Sequence, residues 1–300
     1  MISIIIPTYN RKAYLEEAIR SIISQRNVKT EIIIIDDAST DNTADYVKKL
    51  CLNNVKYHRN NKNLFAHGSR LEGLKYVTGN AVIFMDDDDF YIDNNFLEKA
   101  EAKLLADESL SVVIGSTIQY SNGEYKLQTK LGGCGKISSI EYLNNFSIKY
   151  KKPMSTLSAV FRTSSLEECN IDKFRMVNDT CIYLLGIIQG AVYLIDDAVA
   201  AYRIHGNNIS ASKFKISFIK DCLEAKKEIY LIANKKEILY NPKKWFGNQI
   251  SESAFYFIVS SNRNFIICFY VSIWICLRAN GARIIILAEA IRRIKNKYTK

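Results

Sequence analysis

Four consecutive carboxylates, Asp86-Asp87-Asp88-Asp89, stand directly behind the apolar run Ala81–Met85. Neighbouring carboxylates repel one another, and such a run persists only where a cation or hydrogen-bond donors offset the charge. Magnesium and manganese suit it, being hard ions that bind one or two carboxylates plus substrate phosphates and leave the other positions to water. A second acidic pair, Asp36-Asp37, closes the run Ile32–Ile35, and Thr8-Tyr9-Asn10 follows the strand-like Ser3–Ile6. A solvated acidic loop is the plain alternative for any acid run. Three polar segments, each at the end of an apolar strand, favour the metal. The glycine-rich stretch LGGCG at 131–135 has neither the lysine of a phosphate-binding loop nor the glycine spacing of a dinucleotide site, so it carries no phosphate role. The seven cysteines (Cys51, Cys134, Cys169, Cys181, Cys222, Cys268, Cys276) form no C-x-x-C pair. Their odd number argues against a disulfide framework or structural zinc and for a reducing compartment.

The elements that must position these groups are readable in outline. Ser3–Ile6 is a short strand stopped at Pro7. Leu15, Ala18, Ile19, Ile22 and Ile23 make one face of an amphipathic helix, with Asn10 as its candidate N-cap. Ile32–Ile35 suits a strand buried on both faces, as in a parallel sheet. A second helix carries Ala44, Val47 and Leu50; Val55–His58 reads as a strand, and Arg70–Val77 as a helix closed by Gly79. Strands alternating with helices imply right-handed crossovers and a doubly wound sheet. Ligands of such sheets bind beyond the carboxyl ends of the strands, where the polar segments fall. Further on, Ser111–Tyr120 and Glu124–Thr129 flank the turn signal Ser-Asn-Gly. Leu157–Phe161 and Ala191–Ile195 read as strands around a helix at Asp179–Ile188. After Ser212 the pattern is helical, giving an expected organisation of an α/β domain over 1–212 and a helical region over 213–300.

The 300 residues are 48% hydrophobic and 24% charged, a globular balance that excludes a disordered or fibrous chain. The net charge of +10 is lopsided, with seven basic residues and one acid, Glu289, between Arg278 and Lys300. A nucleic-acid binder would line its folded domain with such charge, so no nucleic-acid partner is expected. Ile284, Leu287, Ala288, Ile291 and Ile294 fall on one helical side of this tail, with Arg283, Arg292, Arg293 and Lys297 among the outward positions. A basic helix with one apolar side suits an anionic bilayer surface, the candidate partner here; a helical cap with a solvated basic end is the alternative. The N-terminus opens on MISIIIP without a basic leader, and the longest apolar stretch, Phe265–Leu277, has 13 residues. Spanning a bilayer takes about 20. The expectation is a cytoplasmic protein, with peripheral attachment to the inner face of the cell membrane as the variant that the tail suggests.

The segments SIIIPTYNRKAYLEEAIRSIISQ, EIIIIDDASTDNT, GNAVIFMDDDDF, VNDT and AYRIHGNNIS resemble, in that order and spacing, the motifs of inverting family 2 glycosyltransferases of GT-A fold. The resemblance runs from about Ser3 to Ser210. It implies a Rossmann-like nucleotide-sugar-binding sheet flanked by helices, with the helical C-terminal extension beyond it. It further implies transfer of a sugar from a nucleotide donor, with UDP the expected nucleotide, to a hydroxyl of a glycan or lipid-linked glycan, in bacterial surface polysaccharide synthesis with Mn2+ or Mg2+ as cofactor. By the same resemblance, Thr8 and Tyr9 pack on the base with Tyr9 as the stacking platform, and Asp37, alone or with Asp36, accepts hydrogen bonds from the base. Arg70 lies near the nucleotide. Asp86 faces the ribose, Asp87 belongs to the same donor loop, and Asp88 binds the metal. His205 reaches the diphosphate or the metal.

Asp179 stands where the family carries the second acid of Glu-Asp and is the implied base, since direct displacement needs a carboxylate to take the acceptor hydroxyl's proton. This chain departs from the pattern with Asn178 at the first acid, which puts the orientation of the base in question. No Q-x-x-R-W signature of processive synthases is present, so one sugar per encounter is expected. A nucleotidyltransferase of related fold is the first alternative, disfavoured because the loop PTYNRK has no glycine to cradle a triphosphate. A non-catalytic binding subunit is the second, disfavoured because Asp88 and Asp179 are both present.

Overall fold

The computed structural model describes residues 1–206 and 216–261. The basic tail read as a membrane-surface helix, together with Cys268 and Cys276, lies outside the described residues. The chain divides into two compact units, Met1–Ile204 and His205–Lys300.

The first unit is built on one ten-stranded sheet. Its first parallel part comprises β1 (Ile2–Thr8), β2 (Thr30–Asp36), β3 (Val55–Arg59) and β4 (Ala81–Phe84). These alternate with the helices α1 (Lys12–Ile23), α2 (Thr43–Lys49) and α3 (Phe65–Leu74). After β4 come β5 (Phe90–Tyr91), α4 (Phe96–Ala106), β6 (Leu110–Ser121), β7 (Glu124–Gln128), β8 (Gly135–Ile137) and α5 (Ser139–Asn144). The unit finishes with β9 (Ala159–Arg162), α6 (Thr163–Glu168), α7 (Asp179–Gln189) and β10 (Ala191–Arg203).

The strand order is β3-β2-β1-β4-β9-β6-β10-β5, with β7 on β6 and β8 on β10. β3, β2, β1 and β4 pair in parallel, so the strand order reverses on either side of β1. β9 runs antiparallel between β4 and β6, which makes the sheet mixed. The register Thr8↔Asp36 places the ends of β1 and β2 level, and the Met85 amide still bonds Ile5 O, so the acid run leaves the sheet beside them.

Side-chain burial explains the strand choices. Ile4, Ile5, Ile6 and Ile32 to Ile35 are all fully buried, as a parallel sheet covered on both faces requires. On one face Ile4, Ile6 and Ile34 join Leu15, Ala18, Ile19 and Ile22 of α1 in the core. Ile23, expected on the same face, is 52% exposed because α1 ends there. On the other face α3 lies against β1 closely enough that a Cβ on Gly73 would meet Ile5 Cγ2 at 2.4 Å. Gly79 is not the cap of α3, which ends at Leu74 with Lys75 as its cap. It abuts β1 instead, where a Cβ would meet Met1 O at 2.7 Å.

Glu31 fastens the amino end of this sheet. Its carboxylate pairs with Lys56 Nζ on β3 at 2.6 Å and accepts from the Thr78 amide at 2.7 Å and from the Ser3 hydroxyl on β1. Burial alone would raise the Glu31 carboxyl; the bonds from Lys56, Ser3 and Thr78 outweigh it and hold it down at about 2. A depressed folded value stabilises the fold above the ordinary value of about 4.3, and that contribution disappears as pH falls toward the folded value. Glu31→Gln should therefore flatten the acid limb of the stability curve and cost up to about 3 kcal/mol at neutral pH. Urea melts between pH 2 and 7 check this; an acid limb identical to wild type would remove Glu31 as its source.

The second unit contains α8 (Ile216–Lys235) and α9 (Pro242–Ser261). Leu223 and Ile229 of α8 and Phe246 and Ile250 of α9 are buried, and Tyr230 stacks on Phe246 at 4.7 Å. The buried Lys226 ammonium donates to Gln249 O at 2.8 Å. Among the described residues no helix is long and apolar enough to cross a membrane.

Candidate active site

The carboxyl ends of β1, β2 and β4 form the cleft. Thr8, the last residue of β1, donates from Oγ1 to Asp87 Oδ2 at 2.8 Å. Tyr9 follows with its ring 45% exposed, available to stack on a planar ligand. Asn10 does not cap α1; Arg11 occupies the cap position and no side-chain bond is made there. Asn10 instead takes a left-handed φ of 54° and accepts from the Thr40 amide at 2.7 Å, tying the β1–α1 loop to the β2–α2 loop. That cross-loop bond uses the oxygen a cap would need. Arg11 Nη1 reaches Asp87 Oδ1 at 3.1 Å and Asp88 Oδ2 at 2.7 Å.

The acids of β2 divide their work. Asp36 is fully buried and structural, accepting from the Ser39 amide at 2.7 Å and from the Tyr57 hydroxyl. Asp37 accepts on Oδ1 from Asn60 Nδ2 at 2.8 Å and from the Leu64 amide at 2.7 Å. These bonds hold the carboxylate at the strand end and leave Oδ2 for a ligand.

Arg70 is 4% exposed and sits between two acids. Its Nη2 is 2.7 Å from Asp86 Oδ1 and its Nη1 is 3.0 Å from Asp179 Oδ1, with a further bond to Val177 O at 3.3 Å. Its Nε is buried without a hydrogen-bond partner among the described residues. Asp179 opens α7, and Asn178 is the N-cap, accepting from the Cys181 amide at 3.0 Å. The residue that departs from the family pattern thus has a clear job. It starts the helix whose first turn, with its partial positive charge, holds the carboxylate. Asp179 keeps 29% of its side chain open and Asp86 33%, so both face the cleft.

The remaining acid, Asp89, is 1% exposed and accepts on Oδ1 from the Arg203 amide at 2.9 Å. Arg203 closes the loop from the other side: Nε donates to Asp88 O at 2.9 Å and Nη2 to Glu17 at 2.6 Å. Its guanidinium lies 5.2, 4.9 and 5.1 Å from the rings of Tyr14, Phe90 and Tyr120. Burial and the Asp88 charge push the Asp87 carboxyl up to about 7 against Arg11 and Thr8. Burial raises Asp86 despite Arg70, and burial with the charges of Asp88 and Asp86 raises Asp89 well above the usual range. The cleft is an over-supplied anionic site whose carboxylates are held by Arg11 and Arg70 and whose loop is held by Arg203.

Among the described residues no three histidine, cysteine or acidic side chains converge on a metal position. Asp88 is therefore a single hard donor. That chemistry fits a divalent ion drawing its other ligands from water and a substrate diphosphate, and does not fit a fully chelated resident ion. His205 is half-buried and opens the second unit, two residues past β10. The structure thus brings together Thr8, Asp86, Asp87, Asp88, Arg70 and Asp179. Sequence reasoning missed Arg11, Asn60 and Arg203; the first and last stood inside the quoted motifs as PTYNRK and AYRIH.

Comparison with known proteins gives a consistent picture. The model of Glycosyl transferase family 2 matches residues 3–169. A GalNAc(5)-diNAcBac-PP-undecaprenol beta-1,3-glucosyltransferase of Campylobacter jejuni is 29% identical over 208 residues, covering 68% of this chain and 64% of the relative. The Escherichia coli UDP-Glc:alpha-D-GlcNAc-diphosphoundecaprenol beta-1,3-glucosyltransferase WfgD is 25% identical over 225 residues, covering 72% of this chain and 81% of the relative. Among solved structures, S. aureus TarS 1-349 in complex with UDP-GlcNAc superposes with a TM-score of 0.65 at 17% identity, over 99% of this chain and 91% of that one.

Proposed function

The chain belongs to glycosyl transferase family 2 and has the GT-A fold, and from that membership we propose that it moves one sugar from a UDP-sugar to a hydroxyl of a lipid-diphosphate-linked glycan, with inversion. The catalytic domain in this reading is 1–212. The observation that carries the mechanism is the Asp86–Arg70–Asp179 bridge, which sets an acid at a helix start one guanidinium away from the donor loop.

In this reading the uracil stacks on Tyr9 and bonds Asp37, beside Thr8. Asp86 and Asp87 hold the ribose side of the loop. Asp88 would hold a Mn2+ or Mg2+ ion, which when bound would neutralise charge on the departing diphosphate. Asp179 takes the proton of the acceptor hydroxyl as that oxygen forms its bond to the anomeric carbon and UDP leaves from the opposite side. A single displacement of this kind inverts the anomeric centre. The lipid-linked acceptor is supported by the undecaprenol-diphosphate substrates of the Campylobacter and Escherichia relatives.

The test is UDP release from a panel of UDP-sugars with a prenyl-diphosphate glycan acceptor, with the product's anomeric configuration read by NMR. Release that is independent of acceptor, or a retained configuration, would overturn the reading. UDP with Mn2+ should raise the melting temperature by several degrees, since a hundredfold excess over Kd stabilises by about 2.7 kcal/mol. In EDTA that shift should vanish, and an equal shift in EDTA would remove the cation from the site.

A further inference from the structure

Arg11 does something that the proposed reaction does not call for. Its Nη1 spans the two carboxylates of Asp87 and Asp88 at 3.1 and 2.7 Å, and Asp88 is the residue assigned to the divalent cation. The side chains of these acids are only 6% and 8% exposed, while Arg11 is 23% exposed at the cleft mouth. Two buried carboxylates in adjacent positions need a positive partner, and here one guanidinium nitrogen supplies it. Arg11 sits at the start of α1, outside the sheet, on a loop that Asn10 anchors by accepting on Oδ1 from the Thr40 amide. The guanidinium can leave without breaking that anchor.

We propose that Arg11 is a resident counter-cation that competes with the divalent ion for Asp88 and gives up the carboxylates when the cation arrives with a diphosphate. Binding is then ordered by electrostatics. Without a diphosphate the ion must displace Arg11 into solvent and gains little. With a diphosphate present, the released guanidinium has an anion of its own to pair with, and the exchange becomes favourable. The cation is thereby excluded from the empty cleft and admitted with the donor. Arg11 is a positioning residue in this scheme and takes no proton and forms no bond to the sugar.

The inference rests on the proposed assignment of Asp88 to a divalent ion, and its test is direct Mn2+ binding by electron paramagnetic resonance, with and without UDP. Without UDP, Arg11→Gln should bind Mn2+ about ten- to a hundredfold more tightly than wild type, the range expected when a charge-assisted competitor is removed. Adding Asp88→Asn to that variant should abolish the gain. With UDP present the gap between wild type and Arg11→Gln should narrow. Arg11→Lys keeps the charge without the planar fork and should fall between the two. It also carries the test if the glutamine variant does not fold. Equal UDP-free affinity in wild type and in the folded variants overturns the inference alone, provided UDP promotes Mn2+ binding. No Mn2+ binding by any protein with UDP present overturns both the inference and the cation assignment beneath it.

Discussion

Asp179→Asn should lower kcat by about two to four orders of magnitude, the range for loss of a general base, while UDP binding stays close to wild type. The substitution keeps the shape of the side chain and can still accept a hydrogen bond from Arg70 Nη1, which lies 3.0 Å from the carboxylate. It removes the ability to take a proton together with one of the two negative charges on Arg70, whose pairing with Asp86 remains. Asp86, Thr8 and Asp37 are untouched, so the donor half of the cleft should be intact, and a UDP melting shift equal to wild type would show it. The helix start should also survive, because its cap is Asn178 and not Asp179. Turnover near wild type would move the base elsewhere, with Asp172, the acid before it in the chain, the next to examine.

The reading of Asp179 as the base depends on a short motif, VNDT, in which Asn178 stands where the family carries the first acid. The structure accounts for that departure locally: asparagine is among the best N-caps, and its bond to the Cys181 amide starts α7 one residue before the acid. The partner that holds the Asp179 carboxylate is Arg70, 109 positions away in the chain. Local patterns could not supply that pairing. The same reason hid Arg11 and Arg203, whose partners in the acid run lie 76 to 115 residues off. Strands were legible where both faces are apolar, as in Ile32–Ile35. β10 was read as five residues and runs for 13, because Asp196-Asp197 interrupts the apolar pattern where the register with β6 shifts. The antiparallel insertion of β9 between β4 and β6 leaves no trace in periodicity, which records burial and not pairing partners.

Arg70→Met should be the most disruptive single change in the cleft, in stability as well as in rate. Removing one partner of a buried ion pair typically costs about 3–5 kcal/mol, because the charge left behind is uncompensated. Here two carboxylates, Asp86 and Asp179, lose the same guanidinium. Facing each other without it, the pair would share a proton in the folded state that the unfolded chain releases near the ordinary carboxylate value of about 4. The folded variant then binds more protons than the unfolded one above that pH, so its stability falls as pH rises. The loss should be larger at pH 8 than at pH 5, read from urea melts at both. Turnover at neutral pH should drop as well, since a protonated pair offers no base. The rate should partly recover toward alkaline pH in whatever fraction remains folded. Arg70→Lys keeps the charge, but a single ammonium lacks the fork that reaches both acids, so it should restore stability more than turnover. Equal destabilisation at the two pH values would mean that Arg70 acts by packing alone, and a full rate with Arg70→Met would separate the base from the bridge.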